Sequence, residues 1–217
     1  MSLAAALWRA NADLAAAAAA HPFVRGLGDG TLARERFQRY VAQDAYFLEV
    51  FARAYALGLA RCPDRDGIWA FFELLAGVQD ELRLHAGYAA RWGVAPAIPG
   101  PVGPGSPTTG PTEATLAYTD FLLATAATGG VGELCAAMAP CMRLYAHLGQ
   151  ALAPSGDRDD NPYAEWVRTY ADPAFEALAV RLEGLLDRYA VDSPAVQAAY
   201  RRAMALELAF FEAAGRA

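Results

Sequence analysis

The spacing of apolar residues constrains this chain more than any other feature. Leu134, Met138, Met142, Tyr145, Leu148 and Leu152 recur every three or four positions, which gathers them on one face of a helix. The same period runs through Phe37, Tyr40, Val41, Leu48, Phe51, Ala52, Tyr55 and Leu59, and again through Trp69, Phe72, Leu75, Val78, Leu82 and Tyr88. No stretch alternates cleanly as a half-buried strand does. Alanine is abundant and β-branched residues are few, which favours helix. With 217 residues, 55% of them hydrophobic and 19% charged, the chain can bury a sizeable core in one unit. The expected fold is all-α, a single domain over residues 1–217.

Breakers and caps divide the pattern. A first helix is predicted over 2–20, with Ser2 as its N-cap,. Gly26, Gly28, Asp29 and Gly30 read as a turn,. Thr31 then caps a long helix that Pro63 stops near Cys62, and a third covers about 66–91,. Residues 93–111 hold six prolines and five glycines and read as a loop ordered along the surface, without the composition shift of a domain boundary. A fourth helix starts at Pro111 or Thr112 and ends at Gly129-Gly130; the next carries Cys141 and stops at Pro154,. Pro162 suits the first turn of a short helix from Tyr163 to Ala171, another follows over 174–190, and Ser193-Pro194 opens the last,.

The net charge is −6 and there is no lysine. That argues against a nucleic-acid partner, which needs a basic face, and removes any lysine Schiff base. Cys62, Cys135 and Cys141 make an odd number, which fits reduced thiols and a cytoplasmic location. Arg9, Asn11 and Asp13 interrupt the N-terminal Leu/Ala run, so neither a secretion signal nor a membrane span is expected.

Three polar residues break inward helical faces. Asp44 falls on the stripe between Tyr40 and Leu48, Glu207 lies within that of Tyr200, Met204, Phe210 and Phe211, and Cys141 shares a face with Tyr145 beside the helix-interior Pro140,. A buried carboxylate is costly unless bonded, and such violations mark functional sites. Read alone, Cys141 is a small buried hydrophobe before it is a nucleophile, and Asp44 is as readily a structural side chain bonded to a neighbouring helix. Together, an inward thiol and an inward carboxyl can make a nucleophile and an acid/base partner. Phe47, Tyr118, Tyr145 and Tyr170 could clamp a flat heteroaromatic ring, although periodicity by itself favours core packing for them. Glu81 and His85, four apart, read as a structural or supporting pair. A di-iron bundle needs Glu-x-x-His on two helices, a spacing this pair misses. The last helix offers no imidazole, and only His21, His85 and His147 could ligate haem,. No metal and no cofactor are expected.

In order and spacing, several blocks resemble the TenA/thiaminase II family of aminopyrimidine aminohydrolases. They are His21-Pro22-Phe23, Gly28-Asp29-Gly30-Thr31-Leu32, Tyr40, Gln43-Asp44-Ala45-Tyr46-Phe47, Phe51-Ala52-Arg53-Ala54, Glu81-Leu82 with His85, Ala117-Tyr118-Thr119, Pro140-Cys141 with Tyr145, Trp166-Val167 with Thr169-Tyr170, and Glu207 with Phe210-Phe211-Glu212. The resemblance implies a haem-oxygenase-like helical bundle without haem and a homotetramer. It implies hydrolysis of 4-amino-5-aminomethyl-2-methylpyrimidine to the hydroxymethyl pyrimidine and ammonia in thiamin salvage, with thiamin a further substrate. It assigns Cys141 as nucleophile, Glu207 as acid/base, Asp44 as the carboxylate on the aminopyrimidine edge, Tyr118 and Tyr170 as bonding hydroxyls, Tyr145 beside the nucleophile and Phe47 as the stacking ring. Cys135 is left to the core. Arg143 and Phe211 stand where many members carry Trp, and Phe47 where others carry Tyr, which bears on substrate preference. The alternatives are an oxygenase on the same fold and a non-catalytic pyrimidine binder.

Overall fold

The computed structural model describes residues 1–94 and 110–216. Among them ten helices follow one another: α1 Leu3–Ala10, α2 Ala12–Ala20, α3 Pro22–Asp29, α4 Arg34–Arg61, α5 Arg65–Trp92, α6 Glu113–Thr128, α7 Val131–Gly156, α8 Ala164–Ala171, α9 Pro173–Tyr189 and α10 Pro194–Gly215. The all-α expectation holds.

Its boundaries differ where polar side chains intervene. Asn11 divides the predicted first helix, because its buried amide donates to Leu7 O over 2.8 Å and its carbonyl accepts from Arg201 over 3.2 Å. The predicted glycine turn is instead α3, capped by His21 Nδ1 accepting from Phe23 N over 3.2 Å and ended by Gly30 at φ 79°, a conformation that suits glycine. Thr31 does not cap α4. It bonds Asp29 over 2.6 and 2.9 Å, and Ala33 begins α4 without a side-chain bond. Pro162 lies outside α8, whose cap is Tyr163, and α7 runs through Pro140 and past Pro154. The predicted loop falls largely on 95–109, outside the described residues; beyond it Thr112 caps α6 by accepting from Thr115 N over 3.2 Å.

α7 is the central element. It packs against α3, α4, α6, α8, α9 and α10, and every residue from Leu134 to Pro140 is buried. A helix apolar on all sides belongs in the middle of a core, and its alanines let neighbours close in. α8 crosses it where position 149 is glycine: a Cβ there would lie 2.4 Å from the carbonyl carbon of Tyr170. That approach brings the Tyr170 ring to 4.8 Å from the Tyr145 ring.

Candidate active site

Six helices direct polar groups into one buried region. α7 supplies Cys141 and Tyr145, α10 supplies Glu207 and Phe210, α4 supplies Tyr40, Asp44 and Phe47, and α5 supplies Glu81 and His85. Tyr118 comes from α6 and Tyr170 from α8. The seven side chains expected in the site, Asp44, Phe47, Tyr118, Cys141, Tyr145, Tyr170 and Glu207, therefore come from these helices.

The carboxyl of Glu207, 2% exposed, accepts from the Tyr118 hydroxyl at Oε1 over 2.7 Å and has the Cys141 thiol as a near neighbour. Burial pushes Glu207 up to about 8 against the pull of Tyr118 and Cys141, with the charges of Asp44 and Glu81 adding to the rise. Cys141 is half-buried as a residue, yet burial of its thiol, followed by the neighbouring charges of Glu207, Glu81 and Asp44, holds it well above the usual thiol range. At rest Cys141 is therefore a protonated thiol. Cys135 is fully buried in the core, and burial raises its thiol too.

On the opposite wall, Asp44 Oδ2 lies 3.0 Å from His85 Nε2 in an ion pair not aligned as a hydrogen bond. Burial lowers His85, but the charge and close approach of Asp44 together with the charge of Glu81 outweigh it, and the imidazole is net raised. Tyr170 donates to Glu81 Oε1 over 2.5 Å. Burial and then the Asp44 charge push Glu81 up to about 7, against His85 and Tyr170. So Glu81 and His85 do not simply pair with each other, as their spacing suggests; each has its own close partner from another helix.

Aromatic rings close the region. Phe47 sits 4.8 Å from Tyr118 and 6.1 Å from Phe210 between ring centres. The Tyr145 and Tyr40 hydroxyls are 3.4 Å apart, and Trp166 Nε1 donates to Tyr40 over 3.3 Å. Sequence reasoning gave Tyr40 no role in this network, although it placed Tyr40 on the α4 stripe four before Asp44 and among the family-like blocks. Arg143 faces away. Its guanidinium bonds Glu183 and Glu176 of α9 over 2.7–2.9 Å. Phe211 is buried between Phe23 and Tyr145, 5.8 Å from each. Asp44, Glu81 and His85 also bring donor atoms within 4.8 Å of one another, close enough to share a divalent ion, though the ion pair and the Tyr170 bond engage the same groups.

The TENA/THI-4/PQQC family pattern matches residues 8–216. The chain belongs to this family. It is 35% identical over 192 residues to an aminopyrimidine aminohydrolase of Halalkalibacterium halodurans, covering 88% of this chain and 83% of the relative. It is 34% identical over 219 residues to the mitochondrial bifunctional TH2 protein of Arabidopsis thaliana, covering 88% of this chain but only 34% of that longer protein. Among solved family structures, a TenA family transcription regulator from Silicibacter superposes with a TM-score of 0.86 at 28% identity, covering 100% of this chain and 98% of its own. A TenA homologue from P. horikoshii gives 0.85 at 26% identity, covering 100% and 99%. The all-α haem-oxygenase-like fold of the family is thus the fold of this chain. Among the described residues no helix is long and apolar enough to cross a membrane.

Proposed function

We propose that this chain hydrolyses a carbon–nitrogen bond of an aminopyrimidine, with Cys141 as nucleophile and Glu207 as acid/base. The observation that carries the reading is the buried carboxyl of Glu207, which accepts from the Tyr118 hydroxyl over 2.7 Å and has the Cys141 thiol as a near neighbour. A carboxyl at about 8 can both give and take a proton near neutral pH. The names of relatives from Halalkalibacterium halodurans, Helicobacter pylori and Bacillus subtilis, each an aminopyrimidine aminohydrolase, support the substrate class.

The thiol proton passes to Glu207 and on to ring N1 as sulfur bonds to ring C6. Electron density from the dearomatised thiol adduct then expels the amine from the methylene on C5, and the bonding pair leaves with nitrogen. Water adds its oxygen to that methylene and gives up a proton to Glu207. Sulfur then leaves C6 as N1 loses its proton, which restores the aromatic ring and the thiol. Asp44 takes the 4-amino edge, with His85 holding it in place. Phe47 and Tyr145 flank the ring, and Tyr118 orients Glu207. The substrate on this reading is 4-amino-5-aminomethyl-2-methylpyrimidine, with thiamin as a second one, in a cytoplasmic homotetramer that needs no metal.

The test is ammonia release from that aminopyrimidine, with thiamin in parallel, by wild type and Cys141→Ser, each with and without chelator. Release that survives chelation and is lost in the variant supports the reading. Equal release by Cys141→Ser removes the nucleophile; loss on chelation turns the Asp44, Glu81 and His85 cluster into a metal site.

A further inference from the structure

We infer that Glu81 and Tyr170 form a subsite for a primary ammonium, holding the aminomethyl arm at ring position 5 and selecting it over neutral substituents. This rests on the aminopyrimidine reading above. If Asp44 takes the C4 amino edge and Cys141 bonds C6, the ring atom between them is C5. Its substituent then projects into the gap between those two side chains. Glu81 comes from α5 at that gap: its carboxylate lies within 4.8 Å of the donor atoms of Asp44 and His85, and its charge bears on the Cys141 thiol.

Charge balance points the same way. Asp44 and His85 compensate each other at 3.0 Å, whereas Glu81 is held by a neutral hydroxyl, Tyr170, at 2.5 Å. With all three groups ionised the cluster is one positive charge short. A carboxylate has about four lone-pair positions, so Glu81 can accept from Tyr170 and from an ammonium together. A partly buried carboxylate gains more from a charged donor than from a neutral one.

Glu81 also lines a cleft of about 340 Å³ walled by Leu74, Val78, Met142, Phe175 and Leu178, which opens the subsite outward. The chemistry needs such an exit. An ammonium leaves as neutral ammonia, taking the carbon–nitrogen bonding pair, so Glu81 need not supply a proton. An apolar-walled passage suits an uncharged product.

The test uses the full chain and calorimetric titration with two probes, the 5-aminomethyl and 5-hydroxymethyl forms of 4-amino-2-methylpyrimidine. Cys141→Ser serves as background so that neither probe is consumed, and it is compared with Cys141→Ser carrying Glu81→Gln. Glutamine keeps the size and still accepts from Tyr170. In the background the aminomethyl form should bind at least about tenfold tighter, as a charge-assisted bond allows. Glu81→Gln should bring the two within about threefold, mainly by weakening the aminomethyl form. Tyr170→Phe, a second variant that leaves the carboxylate in place, should narrow the gap in the same direction. An unchanged preference overturns the subsite, and so does an equal loss of both ligands, which would make Glu81 a general support of the pocket. If folded protein binds neither probe and wild type releases no ammonia, the aminopyrimidine reading itself fails. Hydrolysis by wild type with no preference between probes removes the subsite alone.

Discussion

The Tyr118 hydroxyl donates to Glu207 Oε1 over 2.7 Å, joining α6 to α10 across 89 positions of sequence. The bond favours the ionised carboxyl and so opposes the upward push of burial. Removing it in Tyr118→Phe should raise Glu207 further. The acid limb of the pH–rate profile, below which Glu207 is protonated and cannot take the thiol proton, should move to higher pH,. Turnover should fall by about ten- to a hundredfold, as for loss of one hydrogen bond to a charged group. A profile that keeps its shape would separate Tyr118 from the acid/base.

Cys141 carries its proton at rest because its thiol is buried and faces the charges of Glu207, Glu81 and Asp44. Iodoacetamide should therefore modify it at least about tenfold more slowly at neutral pH than it modifies an exposed thiol, since only the thiolate attacks. Glu207→Gln removes the carboxyl beside the sulfur and should speed the modification above about pH 8, where that carboxyl would be ionised. Peptide mass spectrometry would follow both rates, and rapid labelling of the wild type would contradict the assignment.

Stability should fall with rising pH. Glu207 and Glu81 titrate at about 8 and about 7 in the folded protein, against 4.5 as the ordinary value. Between these limits the folded chain binds more protons than the unfolded one. Their contribution is fully present below the unfolded value and is lost as pH rises through 7 and 8,. His85, also raised, acts in the same sense above 6.5. The melting temperature should drop from about pH 5 to about pH 9, each group contributing at most about 1.4 kcal/mol per pH unit. Glu207→Gln should flatten the curve. A melting temperature that rises over this range would refute the account.

Gly149 and Gly184 make a paired test of the crossing between α7 and α8. A Cβ at 149 meets the Tyr170 backbone at 2.4 Å, while one at 184 meets nothing within 4 Å. Gly149→Ala should cost about 1–3 kcal/mol by forcing the helices apart, and should reduce turnover by displacing Tyr170. Gly184→Ala should be neutral or stabilising by up to about 1 kcal/mol, since alanine is the better helix former. Urea unfolding of both variants would compare them directly.

Arg143 ties α7 to α9 through Glu183 and Glu176 and turns away from the site. Arg143→Met should destabilise the fold by about 1–3 kcal/mol, because it leaves two half-buried carboxylates unpaired, while the Michaelis constant for the aminopyrimidine stays within about twofold. A large change in substrate affinity at unchanged stability would return this position to the pocket.

Helical periodicity and caps were legible from the chain because they depend on neighbours three or four residues apart. The stripes of α4 and α7, the Ser193-Pro194 start of α10 and the Thr112 cap of α6 all followed from such local rules, whereas on α5 the expected Trp69 and Phe72 are 52% exposed and Ala70, Phe71 and Leu74 are buried instead. The anomaly of Asp44, Glu207 and Cys141 on inward faces was legible too, since one helix is enough to reveal a polar residue on an apolar stripe. Local rules failed at Asn11 and Thr31. There a long-range bond to Arg201, or a closer partner in Asp29, prevailed over the default cap.

Partner choice was decided by the tertiary structure alone. Spacing on α5 made Glu81 and His85 each other's natural companions. The packing of α4 and α8 gave His85 to Asp44 and Glu81 to Tyr170 instead. No property of α5 by itself distinguishes these outcomes, because the pairing depends on which side chains other helices bring within about 3 Å. The protonation of the site was undecided for the same reason. Burial and the mutual field of several carboxyls set the charge of Glu207, Glu81 and Cys141, and that field exists only once all the helices have met.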